Sequence, residues 1–140
     1  MQMAKPYILI ADDDPEDRQI FEEEFVEQNP STPVVHITGG KQLLSHLLRL
    51  ESNDLPTIIV LDFQMPDING PEVLMHLAAN PRYNQIVIIM WSTSRRAKDI
   101  EESKRLGAID YIIKPGTLEE LAVAIRKLTA IFKTAIRPVL

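Results

Sequence analysis

The chain has 140 residues, enough for one ordinary core and little more, so it reads as a single domain over 1–140 that ends in a short tail from about 134. Its net charge of −5, with Lys and Arg interspersed among Asp and Glu, excludes the basic stripe that counters a nucleic-acid backbone, and the lack of cysteine excludes disulfide and thiol chemistry. No long apolar segment follows the short start at Met1, which argues against a signal peptide or a membrane span and for a soluble cytoplasmic protein.

Residues 7–11 are short, apolar and without polar alternation, as in a strand covered by helices on both faces. Behind them Asp14 is placed to cap a helix and Pro15 to occupy its first turn. Ile20, Phe21, Phe25 and Val26 give that helix an apolar face, Glu22-Glu23-Glu24 a solvated one, and Asn29-Pro30 an end. A second strand over 34–38 leads through Gly39-Gly40 into a helix carrying Leu43, Leu44, Leu47, Leu48 and Leu50, followed by a loop over 53–56.

A third strand is predicted over 57–61, a loop over 65–70, and a helix from Pro71 to about Ala79, closed by Pro81. A fourth strand over 86–90 precedes a helix from about Arg95 to Leu106 that ends at Gly107, and a fifth strand covers 108–113. Thr117 and Glu120 form a capping-box pair that opens a last helix, with Leu118, Leu121, Ala122, Ile125 and Leu128 on its apolar side. Repeated strand and helix with short connections implies an α/β fold: a doubly wound five-stranded parallel sheet of flavodoxin-like order 2-1-3-4-5.

In that order the apolar runs deliver Asp12, Asp13, Asp62 and Lys114 to one sheet edge, beside the point where strand order reverses. Carboxylates drawn together repel one another, and a hard divalent cation with oxygen ligands relieves them; Mg²⁺ suits Asp13, Asp62 and the backbone carbonyl of Gln64. Asp62 is the best-placed nucleophile for a transferred phosphoryl group. Lys114 supplies a long-armed charge and Ser92 a hydroxyl for its oxygens, and a loop drawn inward at Ser92 would repack the ring of Tyr111. Taken singly, each of these residues has an ordinary reading: a turn or cap aspartate, a solvated strand-end lysine, a helix-cap serine, a core tyrosine. His36, His46 and His76 lie in different elements without ligand spacing and are assigned no chemistry.

The set Ile8-Leu9-Ile10-Ala11-Asp12-Asp13 with Pro15 and Arg18, then 62–70 (DFQMPDING), Ser92, Gly107-Ala108 and Tyr111-Ile112-Ile113-Lys114-Pro115 resembles the receiver domain of two-component response regulators over essentially the whole chain. The resemblance implies that Asp62 accepts a phosphoryl group from a histidine kinase or phosphotransfer protein. It further implies that Asp13 binds Mg²⁺ directly, that Asp12 helps mostly through water, and that the Gln64 carbonyl is the third protein ligand. Ser92 falls on the family's Thr or Ser, Lys114 on its lysine, Tyr111 on its switch aromatic. Slow autophosphatase activity is implied too, with Gln64 and Trp91 or Thr93 bordering the attacking face.

Two positions depart from the family pattern: Trp91 replaces a smaller aliphatic residue, and Gly116 replaces an aromatic, which should loosen the turn after a usually cis Lys114–Pro115 bond. The segments 29–33, 52–56 and 92–94 resemble those of stand-alone receivers found beside phytochrome-type and hybrid kinases. With no output domain after the last helix, signalling is expected through a downstream protein partner at the fourth helix, fifth strand and Tyr111, through self-association, or through phosphate relay. Ile131, Phe132, Ile136, Val139 and Leu140 suit either a homodimer or a helix end packed on its own domain. A phosphorylation-independent adaptor of the same fold is the alternative function. An enzyme acting on small phosphate esters has no lid or pocket to support it, and a flavin module has only the fold.

Overall fold

The computed structural model describes residues 5–136, and within them the apolar runs form five parallel strands: β1 (Ile8–Ala11), β2 (Val34–Ile37), β3 (Ile58–Asp62), β4 (Val87–Ser92) and β5 (Asp110–Ile113). Their order is β2-β1-β3-β4-β5, the flavodoxin-like order expected above. Between them run α1 (Pro15–Gln28), α2 (Gly40–Leu48), α3 (Gly70–Ala78) and α4 (Ala97–Arg105), and α5 (Leu118–Ala135) follows β5. The register pairs Ala11 with Leu61, Asp62 with Trp91 and Ser92 with Ile113, so the carboxyl ends of the central strands finish at one level.

Successive strand residues point to opposite faces, and both faces are covered. Leu9, Ala11, Ile59, Leu61, Met90 and Tyr111 join Leu43, Leu47, Val73, Leu74 and Leu77 in a core beneath α2, α3 and α4. Ile8, Ile10, Ile58, Val60, Ile89, Trp91 and Ile112 face the other way, against Phe21 and Phe25 of α1 and Leu121, Ile125, Leu128 and Phe132 of α5. Phe25 meets Phe132 edge to face, with centroids 6.4 Å apart, which stitches α1 to α5.

Several local expectations are corrected. In α1 only Phe21 and Phe25 are buried; Ile20 and Val26 are 45% and 41% exposed, because the sheet takes a stripe one residue wide at a spacing of four. Leu48 and Leu118, at helix ends, are likewise exposed. Glu22 leaves the solvated face to meet His36 Nε2 at 2.7 Å. β4 runs two residues beyond the apolar stretch, through Trp91 and Ser92, because both find strand partners. A single 3-10 turn forms at Ser52–Asp54, where a loop was expected, and another at Pro81–Tyr83, just after α3; in the latter Arg82 donates to the carbonyls of Leu47 and Leu50 and so closes the end of α2. The helix α5 runs through the expected tail start to Ala135, and residues 137–140, with Val139 and Leu140, lie outside the described residues. Phe132 is 4% exposed and belongs to the chain's own core, while Ile136 is 40% exposed.

At Gly70, where α3 begins directly beneath the end of β3, an added Cβ would lie 2.7 Å from the carbonyl oxygen of Asp62 and 3.0 Å from Cα of Phe63. Gly70 N also donates to Phe63 O at 2.8 Å, so the two backbones cannot separate freely. Gly70→Ala is therefore expected to lower unfolding stability by about 1–3 kcal/mol, read as a lower urea midpoint at unchanged m-value.

Candidate phosphoryl and cation site

The strand ends place Asp12, Asp13, Asp62 and Lys114 around one cleft of about 460 Å³, with Gln64 and Thr93 on its rim. Asp12 is fully buried: its Oδ1 accepts from Asp14 N at 2.9 Å, its Oδ2 from Lys114 Nζ at 3.0 Å, and its carbonyl from Arg18 Nη1 at 2.6 Å. Asp13, next along the chain, points to solvent. Asp62 closes β3 with 6% exposure; Gln64 N donates to its Oδ1 at 3.2 Å and Lys114 Nζ to its Oδ2 at 3.3 Å. Lys114 reaches a third carboxylate, Asp17 Oδ2, at 3.0 Å.

One ammonium is thus shared by Asp12, Asp17 and Asp62, with Asp13 alongside. Burial works against the Lys114 charge, but its hydrogen bonds to Asp12 and Asp17 and the charge of Asp62 outweigh it and hold the lysine well above its ordinary range. The same balance fails for Asp62. Burial first, and then the charge of Asp12, overcome the pull of Lys114 and push its carboxyl up from 3.8 to about 7. A site with more carboxylate than cation fits a further cation: single oxygens of Asp12, Asp13 and Asp62 lie within 4.8 Å of one another, an all-oxygen set that suits a hard divalent ion.

Asp17 was not among the expected site residues. Its signal was present, since it stands three residues after the Asp14 cap and so projects from the first turn of α1 on the side of the strand ends, but the same position also suits an acidic helix-dipole residue. Trp91 does not border the acidic cleft as expected. It is 4% exposed in the layer beneath α1 and α5, edge-on to Phe21 at 5.4 Å, and lines a separate groove with Asp17 and Lys114. The Lys114–Pro115 bond is trans, like every peptide bond among the described residues. Nor is the turn at Gly116 loose, because Glu120 Oε2 accepts from Gly116 N at 3.0 Å while Thr117 Oγ1 accepts from Glu120 N at 3.1 Å.

Ser92 reaches the strand end but its hydroxyl serves the following loop, accepting from Ser94 N at 3.1 Å. Ser94 is a junction. Its hydroxyl donates to the buried Asp99 carboxylate at 2.6 Å and accepts from Arg96 N at 3.2 Å, and its carbonyl accepts from Tyr111 OH at 3.0 Å. Tyr111 is 8% exposed, and its ring lies edge-on to Phe63, centroids 6.5 Å apart, with Phe63 adjacent to Asp62 in sequence. The ring expected to repack is thus buried here, held by a loop carbonyl.

Two outcomes follow. Because the folded Asp62 carboxyl is held above the value of an ordinary aspartate in the unfolded chain, ionising it costs stability as pH rises from about 4 to about 7. Asp62→Asn is expected to raise stability at about pH 8 by roughly 1.4 kcal/mol or more, the equivalent of one pKa unit, and by much less at acid pH, as melting curves across pH will read. Tyr111→Phe deletes the bond to Ser94 and is expected to cost about 0.5–1.5 kcal/mol and to speed amide exchange over 94–96.

The comparisons with known proteins agree with this arrangement. The family model described as "Response regulator receiver domain" matches residues 8–126. The two-component response regulator ORR12 of Oryza sativa subsp. japonica is 28% identical over 119 residues, spanning 85% of this chain and 94% of that protein. Among solved structures, response regulator RPA3017 in red light signaling of R. palustris superposes with a TM-score of 0.84 at 27% identity, covering 97% of this chain and all of that one. The phosphorylated cyanobacterial phytochrome response regulator RcpA superposes with a TM-score of 0.84 at 24% identity, over 96% of this chain and 98% of that one, a likeness of fold. A five-stranded sheet in this order, an acidic cleft at its carboxyl edge and a match along most of its length make this chain a member of the response regulator receiver domain family.

Proposed function

We propose that this chain is a phosphoryl-accepting signalling module in which Asp62 is the acceptor, and that it signals by a change in protein binding. The observation that carries the reading is the convergence of Asp12, Asp13 and Asp62 with Lys114 bonded to two of them. In the step, an Asp62 carboxylate oxygen attacks phosphorus and the bond from phosphorus to the donor breaks. With a phosphohistidine of a kinase or phosphotransfer protein as donor, the imidazole nitrogen leaves with the electron pair, and Asp62 becomes an acyl phosphate.

Asp13, Asp62 and the Gln64 carbonyl would hold Mg²⁺, with Asp12 acting behind them; when bound, the ion neutralises charge on the transferred group. Lys114 orients and offsets the phosphoryl oxygens. The acyl phosphate carries close to two negative charges where the carboxylate carried one, so the Lys114 ammonium is drawn from Asp12 and Asp17 toward the new group. The Ser92 O–H gains an acceptor on the phosphoryl group, and the swing of the side chain toward it takes Oγ away from Ser94 N. Ser94 is the residue held by Asp99 and Tyr111, so that exchange reaches α4 and β5, the surface assigned to the downstream protein. Gln64 and Thr93, on the rim, are placed to modulate attack by water on the acyl phosphate.

The test is intact mass after incubation with Mg²⁺ and a small acyl phosphate. One added phosphoryl group, labile to base and absent from Asp62→Asn, is the expected result. Unchanged mass in protein that binds Mg²⁺ would instead place the function in a constitutive protein-binding surface.

A further inference from the structure

The segment between β3 and α3, residues 63–69, carries Gln64 to the cleft and has anchors of unequal kind. At its ends Gln64 N is tied to Asp62 Oδ1 and Gly70 N to Phe63 O. Midway, Met65 is sunk into the core beneath α2 and α3. Beyond it Asp67 reaches across to a different element: its Oδ1 accepts from Gly40 N at 3.1 Å and its Oδ2 from Lys41 N at 2.9 Å, while Oδ1 also takes Ile68 N at 2.7 Å. α2 has no cap of its own, because Gly39 stands at the N-cap without a side chain to accept those N–H groups.

The approach is close enough to be specific. A Cβ at Gly39 would lie 3.0 Å from Asp67 Oδ2, and one at Gly40 would lie 2.5 Å from Ile68 Cγ1. Burial works to raise the Asp67 carboxyl, but the N–H groups of Lys41, Ile68 and Gly40 outweigh it and leave Asp67 below its ordinary value, so the acceptor stays charged at neutral pH.

We propose that Asp67 is a positioning residue for the cation and phosphoryl site: by capping α2 from outside that helix, it fixes the 63–69 segment and with it the Gln64 carbonyl. The inference rests on the site assignment above. A carboxylate that only capped α2 would matter to stability alone. One that fixes the segment matters also to a ligand three residues away, in the way that groups behind a metal's direct ligands set its affinity.

Calorimetric titration with MgCl2 separates the two, using wild type, Asp67→Ala, Asp67→Asn and the double variant Asp67→Ala with Gly39→Ser. Gly39 has extended backbone, φ −167°, and loses its close neighbour once Asp67 is truncated, so the serine can cap α2 locally. Asp67→Ala is expected to weaken Mg²⁺ binding about tenfold, with Asp67→Asn intermediate and still folded. The double variant should recover melting temperature but not Mg²⁺ affinity. Affinity within about twofold of wild type in the Asp67 variants, or full recovery of affinity in the double variant, would overturn the proposal while leaving Asp62 as acceptor. Wild-type protein that binds no Mg²⁺ would overturn the site assignment itself.

Discussion

A single ammonium set among too many carboxylates governs this molecule. Lys114 leaves the end of β5 and is held by residues from β1, α1 and β3, so one side chain joins four elements at the edge of the sheet. Those carboxylates sit close together only because the backbone register puts them there, and their mutual repulsion is incompletely offset. The cleft holds more carboxylate than cation, a deficit of positive charge that a hard divalent ion is suited to relieve.

The sheet divides the neighbours of that edge into two layers. Because side chains alternate, β4 sends Met90 into the layer beneath α2, α3 and α4, Trp91 into the layer beneath α1 and α5, and Ser92 to the edge. Tyr111 shares the first layer with Met90 and ties it to the loop after β4 through Ser94. A shift at the end of β4 therefore meets two different sets of neighbours. On the side of α4 that shift reaches a hydrogen-bonded junction, Ser94 with Asp99 and Tyr111.

Much of this was legible before the structure. Doubly buried strands announce themselves as unbroken apolar runs, and Asp12, Asp62 and Lys114 are legible because each directly follows or ends such a run. What escaped had no periodic signature. Asp17 looks like any acidic residue in a first helical turn, and Asp67 like any turn aspartate, since a cap supplied from another element leaves no trace near the helix it serves. Trp91 was misplaced because the extra two residues of β4 decide its face, and strand ends are set by pairing rather than by hydrophobicity. The orientation of the Ser92 hydroxyl and the inward Tyr111 are choices of partner among several, which composition does not rank.

The position of Trp91 has a practical consequence. It is the only tryptophan, and it lies one residue before Ser92 yet on the far side of the sheet from Tyr111, against Phe21 and along a groove bordered by Asp17 and Lys114. The native indole is thus an optical probe stationed on the α1–α5 side of the protein. Groups that approach Lys114 along that groove come near the indole, whereas α4 packs against the other face of the sheet.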